Sequence, residues 1–261
     1  VPATSRGALV RADEQEMFAG VPSAEKDPRQ SVHVEEFPLP ELAPGRYAAR
    51  VDLIRGQTGE VVATDEWQIV RRDGDEPTAY IDEHNRLIVD GEPFFPLGMY
   101  CGGVSEELLR TYTEAPFNCL MPYGSPDEAR MDLLDRYGLK CIYSIKDFYA
   151  GTQWAPASIA TVEDEEPAVR ERVRRYREHP ALLAWYLNDE LPLTMIDRLA
   201  AHQRWVEEED PNHPTWVVLY QVNEVSGYIR SFDAIGTDPY PIPKRSAAMA
   251  GEWAEITRKA V

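Results

Sequence analysis

Basic residues and cysteines are scarce in this sequence. Lysine and arginine supply 27 of its 261 residues against 45 aspartates and glutamates, which leaves a formal net charge of -18 at pH 7. A chain this acidic is expected to bind neither nucleic acid nor an anionic membrane surface. The three cysteines, Cys101, Cys119 and Cys141, lie on or just after apolar runs, which favours buried inert thiols over a disulfide or a metal site.

Several familiar signals are also missing. No apolar run reaches the roughly 18–20 residues of a membrane span, and no signal peptide opens the sequence. There is no glycine-rich phosphate loop, no nucleophile-elbow motif and no HExxH. The five histidines show no metal-ligand spacing, so we expect neither a metal nor another cofactor.

The sequence does contain a series of six short apolar runs, most of them separated by helical patterns. They cover residues 94–100, 117–123, 139–145, 182–190, 216–221 and 234–240. Near-continuous apolar strands that alternate with helices are typical of a parallel sheet covered on both faces, which gives an α/β class. Because no dinucleotide fingerprint is present, these units favour a (β/α)8 TIM-type barrel over a doubly wound sheet.

Helix signals lie between the runs. Ser105 is expected to cap a helix that ends near Tyr112, and Ser125-Pro126-Asp127-Glu128 has the form of a capping box with Ser125 as the N-cap. The second helix is expected to stop at Gly138. Further helices are predicted over 165–177, 194–208 and 246–259.

Residues 1–76 have a different pattern. The first 30 residues carry no clear signal, but strand-like segments over 31–37, 46–54 and 61–70 are separated by tight turns, which predicts a small Ig-like β-sandwich domain. About 70 residues is short for a sandwich of about 100, so this domain is expected to lack strands. The charged segment 71–77 is the predicted linker, and 77–261 is the predicted barrel domain, beginning with a hairpin over 80–89.

A complete barrel has eight strands in about 250 residues, and the predicted barrel domain holds six. We therefore expect a barrel truncated after its sixth strand. Such a barrel exposes the edges of strands one and six, so the prediction for a chain ending at Val261 is homo-oligomerisation through these open edges or low stability.

The carboxyl ends of the predicted strands carry polar and aromatic residues. In barrels of this kind the active site lies at those ends. Aromatic rings stack on sugar faces, while acids and amides bind sugar hydroxyls, so the set favours a carbohydrate substrate. Its members are Tyr100, Tyr123, Lys146, Asp147, Tyr186, Asn188, Asp189, Glu190, Tyr220, Gln221, Asp238 and Tyr240, and Trp154 in the loop after the third strand is a further candidate sugar platform.

The fourth run, LLAWYLNDE (182–190), ends in two acids. Carboxylates are costly to place at the end of a buried strand unless they are solvated, paired or used. Strand alternation would put Asn188 and Glu190 on one face and Asp189 on the other. The alternative is that Asp189 and Glu190 merely begin the next helix near Pro192.

Three segments resemble clan A glycoside hydrolases, which are retaining (β/α)8 enzymes. HPALLAWYLNDE (179–190) resembles their fourth strand, which ends in the acid/base glutamate. GEPFFPLGMY (91–100) resembles their first strand, and DAIGTDPYP (233–241) resembles the sixth strand of several members. A β-sandwich ahead of the barrel also resembles the β-galactosidase and β-glucuronidase type, so the resemblance extends from about residue 30 to the end of the sequence.

The resemblance implies a glycoside hydrolase that cleaves an oligo- or polysaccharide by a retaining two-carboxylate mechanism. Glu190 would be the general acid/base, with a pKa raised by burial and by a neighbouring carboxylate. Asp189 interrupts the family pattern, in which asparagine directly precedes this glutamate, and is the second candidate for the catalytic role. A secreted or periplasmic location is also implied.

The family's nucleophile ends the seventh strand, which is not found in this sequence, and is expected beyond Val261. Asp238 is the nearest substitute and is expected to bind substrate or tune charge, although an inverting pair of Glu190 and Asp238 stays open. Two other functions also stay open. One is a non-catalytic carbohydrate-binding protein on a degenerate or truncated barrel, and the other is a metal-dependent barrel hydrolase, which needs a His/Asp cluster at the strand ends.

Overall fold

A computed structural model of the chain describes residues 3–11, 18–19, 42–43, 45–55, 58–71, 77–82 and 84–261. The backbone divides into two compact units, Val1–Asp75 and Glu76–Val261. In the described part of the chain, no helix combines the length and the apolar character needed to span a membrane.

The first unit contains a four-stranded antiparallel sheet in the order β2-β1-β3-β4. Its strands are β1 (Ala3–Arg11), β2 (Phe18–Ala19), β3 (Gly45–Arg55) and β4 (Val61–Arg71). The two longest match the strands predicted at 46–54 and 61–70, whereas β1 lies within the first 30 residues, where no strand was predicted. The strand predicted at 31–37 falls outside the described residues, so the second sheet of a sandwich stays a prediction.

The second unit begins with the expected hairpin, extended by a third short strand. Its strands are β5 (Ala79–Ile81), β6 (Leu87–Val89) and β7 (Glu92–Pro93), all antiparallel. The Asp82 carboxylate closes the first turn by accepting hydrogen bonds from the backbone N–H groups of His84 and Arg86 at 2.9 and 2.8 Å.

The main sheet of this unit is six-stranded and parallel, in the order β13-β12-β11-β10-β9-β8. The strands are β8 (Gly98–Cys101), β9 (Cys119–Pro122), β10 (Lys140–Ser144), β11 (Leu182–Asp189), β12 (Thr215–Leu219) and β13 (Ala234–Thr237). Sequential strands are neighbours, as in half of a TIM-like barrel. The α/β class is confirmed; closure into eight strands stays a prediction.

The helices that connect and follow these strands are α1 (Glu106–Thr113), α2 (Glu128–Arg136), α3 (Glu165–Tyr176), α4 (Ile196–Glu209) and α5 (Met249–Ala260). Ser105 caps α1 as predicted, by accepting a hydrogen bond from the Leu108 N–H. The N-cap of α2 is Asp127 and not Ser125, because the Ser125 hydroxyl instead donates to the Ser144 carbonyl at 2.6 Å.

Two apolar clusters cover the faces of the main sheet. The outer cluster lies between the sheet and the helices and includes Trp185, whose indole N–H donates to Asp210 at 2.8 Å. The inner cluster packs the four strands β9, β10, β11 and β12 against the hairpin, and it includes Ile142 and Val89. The three cysteines are buried and free, and burial raises the pKa of the Cys119 thiol to about 11.

The main sheet has two edge strands, β8 and β13. Exposed apolar side chains lie beside β8 in the chain, among them Phe95 with 80% of its surface exposed. Such edges are places where another chain can add a strand. Homo-oligomerisation through them stays a prediction.

Candidate active site

The carboxyl ends of the parallel strands bring four carboxyl groups and one lysine together. We call this set the rim; its members are Asp147, Asp189, Glu190, Asp238 and Lys146. The groups come from the ends of β10, β11 and β13, which the parallel order of the sheet places at one edge.

Lys146 is the buried cation of the rim, with 4% of its side-chain surface exposed. Its Nζ lies 3.0 Å from Asp147 Oδ1 and 3.3 Å from Asp189 Oδ2. It also lies 5.0 Å from the centre of the Tyr123 ring. Burying an ammonium is costly unless it is paired, so these two carboxylates offset its desolvation. Sequence reasoning placed Lys146 at a strand end but gave it no role.

The rings of three tyrosines pack against one another beside this ion pair. The Tyr100 and Tyr123 rings stack with centres 4.3 Å apart, and Tyr186 meets Tyr100 edge-on at 6.2 Å. The Tyr100 hydroxyl donates to Asp189 Oδ2 at 3.2 Å. Burial, with the Asp189 charge adding to it, raises the pKa values of Tyr100 and Tyr186, so both stay neutral hydrogen-bond donors.

The backbone of Glu190 adopts a left-handed conformation with φ 61°. For a residue with a side chain this costs about 1–2 kcal/mol, and such strain is concentrated at functional sites. The neighbouring strand holds it, because the Glu190 N–H donates to the Val218 carbonyl at 2.9 Å and Gln221 Nε2 donates to the Glu190 carbonyl at 3.1 Å.

The pairing of β11 with β12 shifts register between Tyr186 and Asn188, so strict alternation is lost at the end of β11. The prediction that Asp189 faces away from Glu190 is wrong, since Asp189 pairs with Tyr100 and Lys146 and its charge also raises the pKa of Glu190. Asn188 is fully buried, and its Oδ1 accepts a hydrogen bond from the Leu191 N–H at 2.8 Å. The side-chain amide oxygen of Asn188 therefore stabilises the turn after β11.

Glu190 has the perturbed carboxyl group of the rim. A hydrogen bond with Asp238 contributes most to raising its pKa to about 7, followed by burial and by the negative charges of Asp238 and Asp189. Glu190 and Asp238 therefore lie within hydrogen-bond distance of each other. The two carboxyls of an inverting glycosidase are about 6.5–9.5 Å apart, which this contact does not match.

The two acids do not start the next helix. α4 begins at Ile196, after a short 3-10 turn over Leu193–Met195. The N-cap of that turn is Pro192, and no side chain caps it. A purely helix-capping role for Asp189 and Glu190 therefore has no support in this geometry.

The remaining predicted site residues divide into two groups. Tyr240 is 78% exposed, and partial burial, followed by the negative charges of Asp238, Glu190 and Asp189, raises its pKa, which is consistent with a position near the rim. Tyr220 and Trp154 are 53% and 69% exposed, and among the described residues the structure gives neither a contact with a rim carboxyl.

Metal binding finds no support at the rim. Across the described ranges, no group of three or more His, Cys, Asp and Glu side chains is arranged to hold a metal ion. The rim carboxyls are instead occupied by a lysine, a tyrosine hydroxyl and each other.

A cavity of about 710 Å³ lies against the main sheet of the second unit. Its walls are almost wholly apolar and include Phe94, Met121, Ile142 and Trp216. Tyr100 lines both this cavity and the rim. Because the cavity walls carry none of the rim carboxyls, we place the chemistry at the rim and not in the cavity.

Comparison with known proteins supports a glycoside hydrolase-like fold. No family model matches the chain. A glycosyl hydrolase family 2 member from Bacteroides cellulosilyticus DSM 14838 superposes with a TM-score of 0.51 at 17% identity, over 92% of this chain and 35% of that one. Bacteroides uniformis β-glucuronidase 2, covalently bound to cyclophellitol-6-carboxylate aziridine, gives 0.52 at 15% identity, over 99% and 35%.

At these identities the likeness shows the fold alone, and the chain spans about a third of the length of these glycosidases. Two curated proteins share a short segment with it. They are the crotonyl-CoA reductases of Streptomyces collinus and Streptomyces avermitilis, 51% and 49% identical over 45 residues. Those residues are 17% of this chain and 10% of either reductase, so they carry no statement about the activity of the rest.

Proposed function

We propose that this chain contributes the general acid/base, Glu190, to the active site of a glycoside hydrolase that acts on an oligo- or polysaccharide. The observation that carries the proposal is the pKa of about 7 of a carboxyl group directly after β11, the fourth strand of the parallel sheet. The similarity of the fold to family 2 glycosidases supports it.

The proposed role requires Glu190 to exchange a proton near neutral pH. In the first step of a retaining mechanism the protonated carboxyl gives its proton to the departing glycosidic oxygen, and in the second it takes a proton from water. A carboxyl with a pKa of about 7 can do both. Asp238 is assigned the role of keeping the proton on Glu190 in the resting site.

Asp189 is the less suitable proton donor. Its Oδ2 accepts a hydrogen bond from Tyr100 and lies within ion-pair distance of Lys146. A carboxylate engaged by an ammonium and a hydroxyl acts as an acceptor. We assign Asp189 the role of a fixed negative charge beside Glu190.

Asp238 is not the proposed nucleophile. A retaining pair is about 5–5.5 Å apart, whereas Asp238 is in hydrogen-bond contact with Glu190. We therefore propose that the nucleophile comes from outside the six strands. Non-catalytic carbohydrate binding is the second candidate function, and the contact of Glu190 with Asp238, which is closer than a retaining pair, is the observation that favours it.

Hydrolysis of aryl glycosides tests the proposal. We expect Glu190→Gln to lower kcat/KM about 10²–10⁴-fold for a poor leaving group such as a phenyl glycoside, and much less for a 2,4-dinitrophenyl glycoside, which departs without a proton. The control is Glu224→Gln, an exposed glutamate in the loop after β12, which should act like wild type.

Equal losses with both leaving groups would contradict an acid role for Glu190. A wild-type chain that binds sugars and hydrolyses neither substrate would favour the binding function instead.

A further inference from the structure

We propose that the rim takes an uncharged sugar and disfavours uronic acids and other anionic sugars, because four carboxyl groups share one buried lysine. This inference rests on the proposed function, since it names the substrate class of the same site.

The positive charge of the rim is already used. Within the described part of the chain, Lys146 is the one cation within 4 Å of the rim carboxyls, and it contacts Asp147 and Asp189. With 4% of its side chain exposed, its ammonium cannot turn toward a ligand without leaving both partners. A carboxylate on the substrate would therefore meet Glu190 and Asp238 with no free cation to offset the repulsion.

Two buried polar atoms at the rim also favour an uncharged sugar. The Tyr186 hydroxyl is fully buried and, among the described residues, has no hydrogen-bond partner of good geometry, although it lies beside Asp189 and Tyr100. Asp238 Oδ1 is likewise a buried acceptor without a donor. A sugar hydroxyl can donate a hydrogen bond to a carboxylate oxygen such as Asp238 Oδ1, whereas a uronate carboxylate oxygen only accepts and would leave Asp238 Oδ1 without a donor.

Two cations lie farther along the chain after Tyr240. Lys244 and Arg245 are exposed, and in the described ranges neither forms an ion pair with a rim carboxyl. If an anionic sugar does bind, Lys244 and Arg245 are the cations that could contact it, so the test includes a variant of each.

The test compares equilibrium binding of sugar pairs that differ only at C6. We would titrate the chain at pH 7.5 with methyl β-D-glucoside and methyl β-D-glucuronide, and with the corresponding galactoside and galacturonide. In at least one pair the neutral sugar should bind at least about tenfold more tightly at low salt, and the ratio should shrink as salt screens the repulsion.

Variants show whether the rim sets this ratio. Asp238→Asn should reduce it by improving binding of the acidic sugar, whereas Glu224→Gln, outside the rim, should leave it unchanged. Equal or tighter binding of the acidic sugar overturns the inference, and loss of that binding in Lys244→Ala or Arg245→Ala would locate the cation responsible. Hydrolysis that depends on Glu190 would then still stand, and binding of no sugar in either pair would likewise overturn the inference without touching the leaving-group test of Glu190.

Discussion

Lys146 Nζ lies 3.3 Å from Asp189 Oδ2, in a lysine side chain that is only 4% exposed. Since Lys146 lies two residues after β10 and Asp189 ends β11, this ion pair fixes the ends of two neighbouring strands relative to each other. Asp189 in turn anchors the Tyr100 hydroxyl of β8. The rim is therefore held together across strands before any substrate binds.

Replacing Lys146 with methionine should destabilise the chain. The change leaves Asp147 and Asp189 facing each other without a cation. Removing one partner of a fully buried pair costs about 3–5 kcal/mol, and because these carboxylates are partly exposed we expect about 2–3 kcal/mol here. That loss lowers Tm by about 4–12 °C in a thermal melt.

The matched control is Lys259→Met, which removes an exposed lysine paired with Glu255 on α5. Its Tm should stay within error of that of wild type. Similar melting temperatures for the two variants would show that Lys146 is not energetically paired with the rim acids.

Glu190→Gln should make the folded chain more stable at alkaline pH. The folded-state pKa of about 7 exceeds the ordinary value of 4.5, so between these values the folded state binds more protons than the unfolded state. Stability is then present in full below about pH 4.5 and falls as pH rises to about 7. Glutamine does not titrate, so the variant escapes this loss.

We expect the Tm difference between Glu190→Gln and wild type to be about 2–4 °C more favourable to the variant at pH 8 than at pH 4.5, after discounting for the partial exposure of the side chain. Glu224→Gln, whose side chain is exposed, should show no such dependence on pH. A difference for Glu190→Gln that is the same at both pH values would argue against the raised pKa.

Asp238→Asn should lower the pKa of Glu190. The variant removes the hydrogen-bonded carboxyl that contributes most to the raised value, together with its negative charge. The pKa should fall from about 7 toward the ordinary 4.5, and carbon-13 NMR titration of the Glu190 carboxyl measures it directly.

If the chain hydrolyses glycosides, the alkaline limb of its pH–rate profile should move to lower pH in the same variant. The control is Asp147→Asn, which removes a rim carboxyl that pairs with Lys146 and does not contribute to the pKa of Glu190. Equal shifts in the two variants would mean that the total charge of the rim, and not the contact with Asp238, sets the pKa.

The strands and helices of the main sheet could be predicted because local signals mark them. Each strand is a short apolar run, and the helices carry caps or stops such as Ser105 and Gly138. The cap of α2 could not be chosen from sequence, since Ser125 and Asp127 are both good N-caps. The choice is made by the Ser144 carbonyl, which is distant in sequence and engages Ser125.

The candidate site was predicted in its members but not in its geometry. Glu190 is not glycine, so nothing local marks its left-handed backbone. Val218 of β12 and Gln221, two residues after β12, hold it there. The burial of Lys146 likewise depends on carboxylates that only folding brings together. Alternation along β11 therefore failed at the residues where contacts from other strands outweigh the local pattern.

Gly98→Ala should disturb the first strand of the parallel sheet and, through it, the rim. A Cβ at this position would lie 2.4 Å from the Cys119 carbonyl oxygen and 2.6 Å from the Cys119 sulfur. The carbonyl belongs to the backbone of β9, which cannot yield as a flexible side chain would, so we expect a loss of about 1–3 kcal/mol in the free energy of unfolding.

The control is Gly102→Ala, four residues later, where a Cβ meets nothing within 4 Å and stability should change little. Because β8 carries Tyr100 two residues after Gly98, displacing the strand should also alter the Tyr100–Tyr123 stack and therefore the near-ultraviolet circular dichroism of the folded chain. If Gly98→Ala melts like Gly102→Ala and keeps that spectrum, β8 does not approach β9 as closely as the glycine contact requires. The position of Tyr100 beside Asp189 would then need another explanation.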